Sequence, residues 1–278
     1  MPATTGSNQI HTDIVIPSPK SLTVASLMGA IALAAPVHAA SDSSQSGTWQ
    51  ASSGIDYSSG SYGDDADTNI LFIPASISYQ RGASTTKLTV PWLRIEGPGS
   101  VVGGGDSGVV TGGMEAVDAS GLGDIWLQQS FAVDAIPSDW FYLDLVGKVK
   151  FPTADEAKGL GTGAFDYTVQ LDFFKPLGKL SPMATLAYKI KGDPDGSDLN
   201  NVFYTSIGAD YRLTDSVNFG TTLDYQEASS ASSDDAIEVF SYLGYKASES
   251  TLLTFYTYFG LTDGSPDLGG GIQCRYEF

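Results

Sequence analysis

The sequence predicts an all-β fold, a transmembrane antiparallel up-and-down β-barrel of about twelve strands. Three observations carry that expectation. Apolar and polar side chains alternate in segments of about ten residues, the connections between segments alternate long and short, and the last segment ends on Phe278 with its apolar side chains on one parity. Alternation with period two gives a strand one apolar and one polar face. A closed barrel crosses a membrane because closure pairs every backbone N–H and C=O without water.

The segments run, in order, Thr48 to Tyr57, Asn69 to Tyr79, Thr85 to Ile95, Leu122 to Asp134, Trp140 to Pro152 and Phe165 to Lys175. They continue as Ser181 to Lys191, Val202 to Arg212, Val217 to Gln226, Ile237 to Lys246, Thr251 to Phe259 and Leu268 to Phe278. The parity is plain in Val217 to Gln226, where Val217, Phe219, Thr221, Leu223 and Tyr225 oppose Asn218, Gly220, Thr222, Asp224 and Gln226. In Trp140 to Pro152, Phe141, Leu143, Leu145, Val149 and Phe151 oppose Asp144, Lys148 and Lys150. The third segment is interrupted by Pro91, and the eleventh is apolar on both parities from Leu252 to Phe259. An even number of strands suits bacterial barrels, and about ten residues at ~3.3 Å each, tilted ~40°, cover the roughly 25 Å of an outer-membrane apolar band.

A soluble β-protein has two-faced strands as well. It has no reason to sort its loops. Here the links after odd segments are long and polar: 58–68, 96–121, 153–164, 192–201, 227–236 and 260–267. Those after even segments are tight: 80–84, 135–139, 176–180, 213–216 and 247–250. Long outer loops and short periplasmic turns are the transmembrane pattern. The terminal aromatic, Phe278, resembles the end recognised by the barrel assembly machinery, which makes that machinery an expected partner beside outer-membrane lipid and lipopolysaccharide.

Residues 1–39 read as a secretory signal and 40–278 as the barrel. Lys20 precedes a mostly apolar stretch from Leu22 to Ala35, and Val37, His38 and Ala39 follow with small residues where a signal peptidase reads. That stretch is too short to span a bilayer as a helix, and nothing after Ala40 is long and apolar enough.

The composition also excludes functions. A formal net charge of -18 argues against nucleic acid as a partner, since phosphate binding needs clustered Lys and Arg. Both histidines, His11 and His38, fall in the expected leader, so the barrel lacks Ser-His and Asp-His machinery and histidine metal ligation. No enzyme activity and no cofactor is expected. Cys274 stands alone and acts as a small apolar side chain. Gly159, Gly161 and Gly163 in GLGTG lack the Gly-Lys-Ser/Thr and the helix of a phosphate cradle, and read as a flexible outer loop. Asp193, Asp195 and Asp198 in GDPDGSD are a candidate cation site, although they lack the full twelve-residue calcium loop. A solvated turn is the plainer alternative.

Charge is sorted like the loops. The six long links hold seventeen carboxylates against Lys158 alone, whereas basic and acidic residues balance on the polar faces of the strands. An acidic rim repels anions and gathers cations, including divalent ions shared with lipopolysaccharide. The balanced wall points to a lumen, and Lys148, Lys150, Asp166, Lys189, Asp210, Arg212 and Asp224 are the residues expected to line it. Tyr204 and Tyr242 share that parity and offer stacking faces to an aromatic solute. The glycine-rich link 96–121 is long enough to fold into the mouth and set its size.

Several stretches resemble a family of outer-membrane proteins labelled transporters and associated with phenol-degradation meta-cleavage pathways. They are Val90-Pro91-Trp92-Leu93-Arg94, Gly121-Leu122-Gly123-Asp124, Lys150-Phe151-Pro152-Thr153, Gly159 to Gly163, Asp166-Tyr167 and Tyr276-Glu277-Phe278. Ala154 departs from the pattern, standing where the family has a glycine. The resemblance implies passive uptake of small aromatic or hydrophobic molecules and supplies no binding residues. The expectation is therefore an outer-membrane channel for small solutes. The rival is a plugged structural or surface-interaction barrel that displays its acidic loops.

Overall fold

The computed structural model describes residues 24–25, 32–33, 47–62, 65–98, 101–102, 109–110, 116–193, 198–231 and 233–278. Twelve strands close into one antiparallel up-and-down barrel. They are β1 Thr48–Gly60, β2 Thr68–Arg81, β3 Ser84–Pro98, β4 in two halves, Ala116–Leu122 and Ile125–Ala132, β5 Tyr142–Phe151 and β6 Asp166–Phe174. Then come β7 Leu180–Ile190, β8 Val202–Arg212, β9 Val217–Gln226, β10 Ala236–Lys246, β11 Thr251–Gly260 and β12 Leu268–Glu277. Each strand pairs with its neighbour in sequence, and β12 closes onto β1 with Ile272 opposite Ile55 and Glu277 opposite Gln50.

Closure sends one parity of every strand outward. The outward parity is the apolar one: Ile55, Ile77, Leu127, Leu145, Val169, Ile207 and Leu223 are exposed along mid-strand. Aromatic side chains ring both ends, with Trp49, Phe131, Trp140, Tyr211, Tyr245 and Tyr276 at the turn end and Tyr57, Phe165, Tyr167, Phe203 and Phe259 at the loop end. Inside, Asp56, Asp144, Lys148, Lys150, Asp172, Lys189, Asp224 and Glu238 are buried. A water-soluble protein sorts its side chains the other way. An apolar band flanked by aromatic girdles is the surface a bilayer solvates.

Local geometry explains two departures from the expected elements. In β4 the register slips by one: Trp92 stands opposite Leu122 but Thr89 stands opposite Trp126, so β4 carries one extra residue at Gly123–Asp124. The Gly123 N–H donates to the Pro91 carbonyl at 2.9 Å. Such a bulge reverses the parity of everything before it. Ala119 is inward above it and Ser130 inward below it, both buried, and Asp124 is turned into the barrel. The other departure is the link expected over 96–121. Its two ends are strand, with Glu96 opposite Asp118 and Pro98 opposite Ala116, and Val101–Val102 pairs with Val109–Val110. Its remaining residues, and with them the expectation that it folds into the mouth, lie outside the described residues.

Four of the tight connections, 82–83, 175–179, 213–216 and 247–250, are as short as the alternation implied, whereas the link between β4 and β5 spans 133–141 and is longer than the expected 135–139. Arg81 pairs with Ser84, and Gly82 takes the positive φ, +57°, that such a hairpin turn requires. Apart from the paired Val24–Ala25 and Ala32–Leu33, the expected leader over 1–39 lies outside the described residues.

Candidate functional site

Two adjacent rows of the inner wall carry the aromatic side chains. Followed across the sheet by register, one runs Ile70, Ser58, Gly269, Tyr258, Phe240, Thr222, Gly208, Met183, Phe174. The next runs Phe72, Asp56, Gly271, Tyr256, Tyr242, Gly220, Asp210, Ser181. Phe240, Tyr242, Tyr256, Tyr258 and Met183 form one buried cluster, with Phe72 and Phe174 against its edges.

Glycine decides how these rings lie. A Cβ on Gly269 would fall 2.1 Å from the Tyr258 ring, one on Gly220 would fall 2.2 Å from Tyr242, and one on Gly271 would fall 2.5 Å from the Tyr256 hydroxyl. Each tyrosine therefore lies over the bare backbone of the neighbouring strand, flat to the wall instead of projecting across the lumen. Its hydroxyl fixes the orientation. Tyr258 donates to Asp56 Oδ1 at 2.9 Å, and Tyr242 donates to Asp210 Oδ2 at 2.9 Å. Asn218 Nδ2 also donates to Asp210. Tyr256 and Tyr258 are within 14° of parallel, and Phe240 lies 5.5 Å from Tyr256 and 6.4 Å from Tyr258 between centroids. The result is a paved sector of aromatic faces on β10 and β11.

Other sectors carry charge. Lys150 Nζ lies 3.2 Å from Asp124 Oδ2 and 3.0 Å from Asp166 Oδ2, and donates to Thr162 Oγ1 at 2.8 Å. Lys191 reaches Asp166 at 3.6 Å. Asp124 Oδ1 accepts the N–H groups of Thr153 and Ala154, at 3.0 Å each. The bulge in β4 is what brings Asp124 to these partners. Together they fasten the GLGTG loop: Thr162 is buried, and Leu160 is 2% exposed among Leu93, Ile95 and Ala119. The loop expected to be flexible is instead packed onto the inner wall. Ala154, the departure from the family pattern, sets its methyl against the same cluster.

Further toward the turns, Asp172 accepts from Thr185 at 2.7 Å and from Gln170 at 2.8 Å, with Asp144 directly across the strand pair. Lys189 donates to Gln226 at 2.6 Å and stands 4.9 Å above the Tyr204 ring, while Ser206 donates to Asp224 at 2.5 Å.

Of the residues expected along the lumen, Lys148, Lys150, Asp166, Lys189 and Asp224 are buried on the inward parity, and Asp210 is half-buried there. Arg212 ends β8 exposed and donates to the Gly178 carbonyl at 3.0 Å, at the turn end of the barrel. Asp193 Oδ1 accepts the Leu199 N–H at 2.8 Å, Asp198 is exposed and Asp195 lies outside the described residues. Among the described residues no three His, Cys, Asp or Glu side chains group as metal ligands.

Tyr204 and Tyr242 are inward as expected, but Phe240, Tyr256, Tyr258, Met183 and Phe72 were not anticipated in the lumen. The available signal was Tyr256-Thr257-Tyr258 ahead of Gly269-Gly270-Gly271, rings on one strand facing glycines on the next.

A family model described as "Putative MetA-pathway of phenol degradation" matches residues 37–278. No curated protein matches the chain. Among solved structures the chain is similar to an outer membrane channel from Pseudomonas putida F1, at 13% identity and a TM-score of 0.64, over 84% of this chain and 96% of that one. It is also similar to the NanC porin, at 10% identity and a TM-score of 0.51, over 81% of this chain and 98% of that one. At such identities the likeness is one of fold.

Proposed function

The chain belongs to the family described as the putative MetA pathway of phenol degradation, and on that footing we propose that it is an outer-membrane channel for passive passage of small apolar and aromatic solutes. The observation that carries this is the pavement of Phe240, Tyr242, Tyr256 and Tyr258 faces along the inner wall. The charged remainder of the path is assigned to Lys148, Lys150, Asp166, Lys189, Asp210 and Asp224, with Arg212 at its periplasmic rim. Export through a signal over 1–39, insertion through the barrel assembly machinery at Phe278, and contact of the acidic loops with lipopolysaccharide belong to the same proposal.

Reconstitution tests it. The purified chain in planar bilayers is expected to give ohmic steps, and in liposomes to speed entry of toluene or phenol over that of a hydrophilic solute of equal size. A barrel that neither conducts nor speeds entry would favour the plugged, loop-displaying alternative.

A further inference from the structure

The lipid-facing band is not evenly filled. Across β12, β1, β2 and β3 one outward row reads Cys274, Ser53, Ala75, Val90, each opposite the next by register. The adjacent row toward the turns reads Tyr276, Ala51, Ile77, Leu88, and on the loop side Ile272 stands opposite Ile55. Small side chains between larger ones leave a depression, and a groove of about 490 Å³ lies there. It opens outward, since Ser53, Ala75, Ile77 and Cys274 are exposed. The face that holds it is the one a bilayer solvates, so the groove carries the lipid interface into the wall. From the groove to the turn, the outward parity of β2 continues as Ala75, Ile77, Tyr79, Arg81. Tyr79 packs on Trp49 in the turn-end girdle, with ring centroids 4.7 Å apart. Arg81 is exposed beyond that pair, and among the described residues no acid is paired with it. Six residues at ~3.3 Å each, tilted ~40°, place Arg81 about 15 Å from the level of Ala75 along the barrel axis. That is half of a hydrocarbon core of ~30 Å, the depth of one leaflet.

We infer that this face binds one glycerophospholipid of the periplasmic leaflet, its phosphate on Arg81, its glycerol region beside Trp49 and Tyr79, and one acyl chain laid in the groove. Short turns mark the periplasmic side of an outer-membrane barrel, where the leaflet is glycerophospholipid. A recess left empty forfeits dispersion contacts along its lining, and a chain that fills it recovers them. The guanidinium meets a phosphate with two parallel hydrogen bonds, while its stem lies along the girdle. On a chain of formal net charge -18, an anionic headgroup finds few such cations. A second copy docked here about an axis along the membrane normal would bring its own Arg81 to the same depth, like charge beside like. A phosphate neutralises that charge instead. The site stands whether or not the barrel conducts, because it depends on the outer surface and not on the lumen.

Native mass spectrometry tests this on the full chain, refolded in detergent micelles and titrated with dioleoylphosphatidylglycerol, with heat-modifiable gel migration reporting that the barrel is folded. The wild-type chain is expected to retain one lipid over and above a random series of adducts. Filling the groove with Ala51→Leu and Ala75→Leu is expected to remove that lipid, whereas Ala209→Leu, the same change on the outward parity of β8, is expected to keep it. Arg81→Gln is expected to weaken retention about fivefold. The same variant is expected to leave unchanged the retention of dioleoylglycerol, which has no phosphate. Should the double leucine variant fail to fold, Arg81→Gln at the exposed rim still decides. Wild-type adducts that follow the random series, or a retained lipid that no folded variant alters, overturn the site. Preferential retention of lipopolysaccharide overturns it too. So does a dimer formed through Cys274 by copper-phenanthroline oxidation, which would put a second copy in the groove.

Discussion

At the scale of single residues, the side chain on which most others depend is Lys150. It is buried between Asp124 and Asp166 and also holds Thr162. Replacing one member of a buried ion cluster leaves its partners charged and unpaired, at a cost of about 3–5 kcal/mol. Lys150→Met is expected to lower barrel stability by that amount in a urea titration, and adding Asp124→Asn and Asp166→Asn is expected to recover most of it. Gly269 offers a second check. A valine there cannot coexist with the Tyr258 ring, whose far end lies 2.1 Å from the first added carbon. The ring must swing off the wall, and single-channel conductance is expected to fall. The inward charges were legible in the sequence because parity alone places them. Tyr204 and Tyr242 were legible in the same way, but the lie of their rings was not, because parity does not say whether a ring crosses the lumen or lies against its wall.

At the scale of elements, β4 and β11 are where pattern and structure part. The extra residue at Gly123–Asp124 divides β4 into halves of opposite parity, a device that period-two counting over 122–134 could not see. Deleting Gly123 makes the β3–β4 register continuous, keeps Ala119 and Ser130 inward, and shifts Asp124 relative to Lys150 and to the Thr153 and Ala154 N–H groups. The deletion is expected to keep heat-modifiable migration and to lower the unfolding midpoint in a urea titration, because the Asp124 contacts are disturbed while the strand faces are not. In β11 both parities are apolar, since Leu252, Tyr256 and Tyr258 face inward while Phe255 and Phe259 face lipid. Sequence alone leaves that strand without a polar face. Its pairing with the glycines of β12 supplies the reason: the inner apolar side chains are a lining with seats. The short turns and alternating strands elsewhere matched because each is fixed locally, by pleat and turn residues.

At the scale of the whole molecule, the sorting of tryptophans reports which side faces lipid. Trp49 and Trp140 are exposed at the turn-end girdle, whereas Trp126 stands across from Lys150 on the inward parity. In single-tryptophan variants reconstituted with lipids brominated near the headgroup, Trp49 and Trp140 are expected to be quenched strongly and Trp126 weakly. The opposite order would mean that the barrel had been read inside out.

The sequence by itself determined the transmembrane barrel, its even strand number and the gathering of its long links at one end. Hydrocarbon outside and water at both ends impose period-two faces and backbone closure on every strand, so those features are written locally and repeated along the chain. Only the tertiary structure decided what fills the interior. The aromatic lining, the inward Asp124 and the packed GLGTG loop arise from contacts between residues distant in sequence, set by register and by a one-residue bulge. Register is a relation between strands, and no single strand records it.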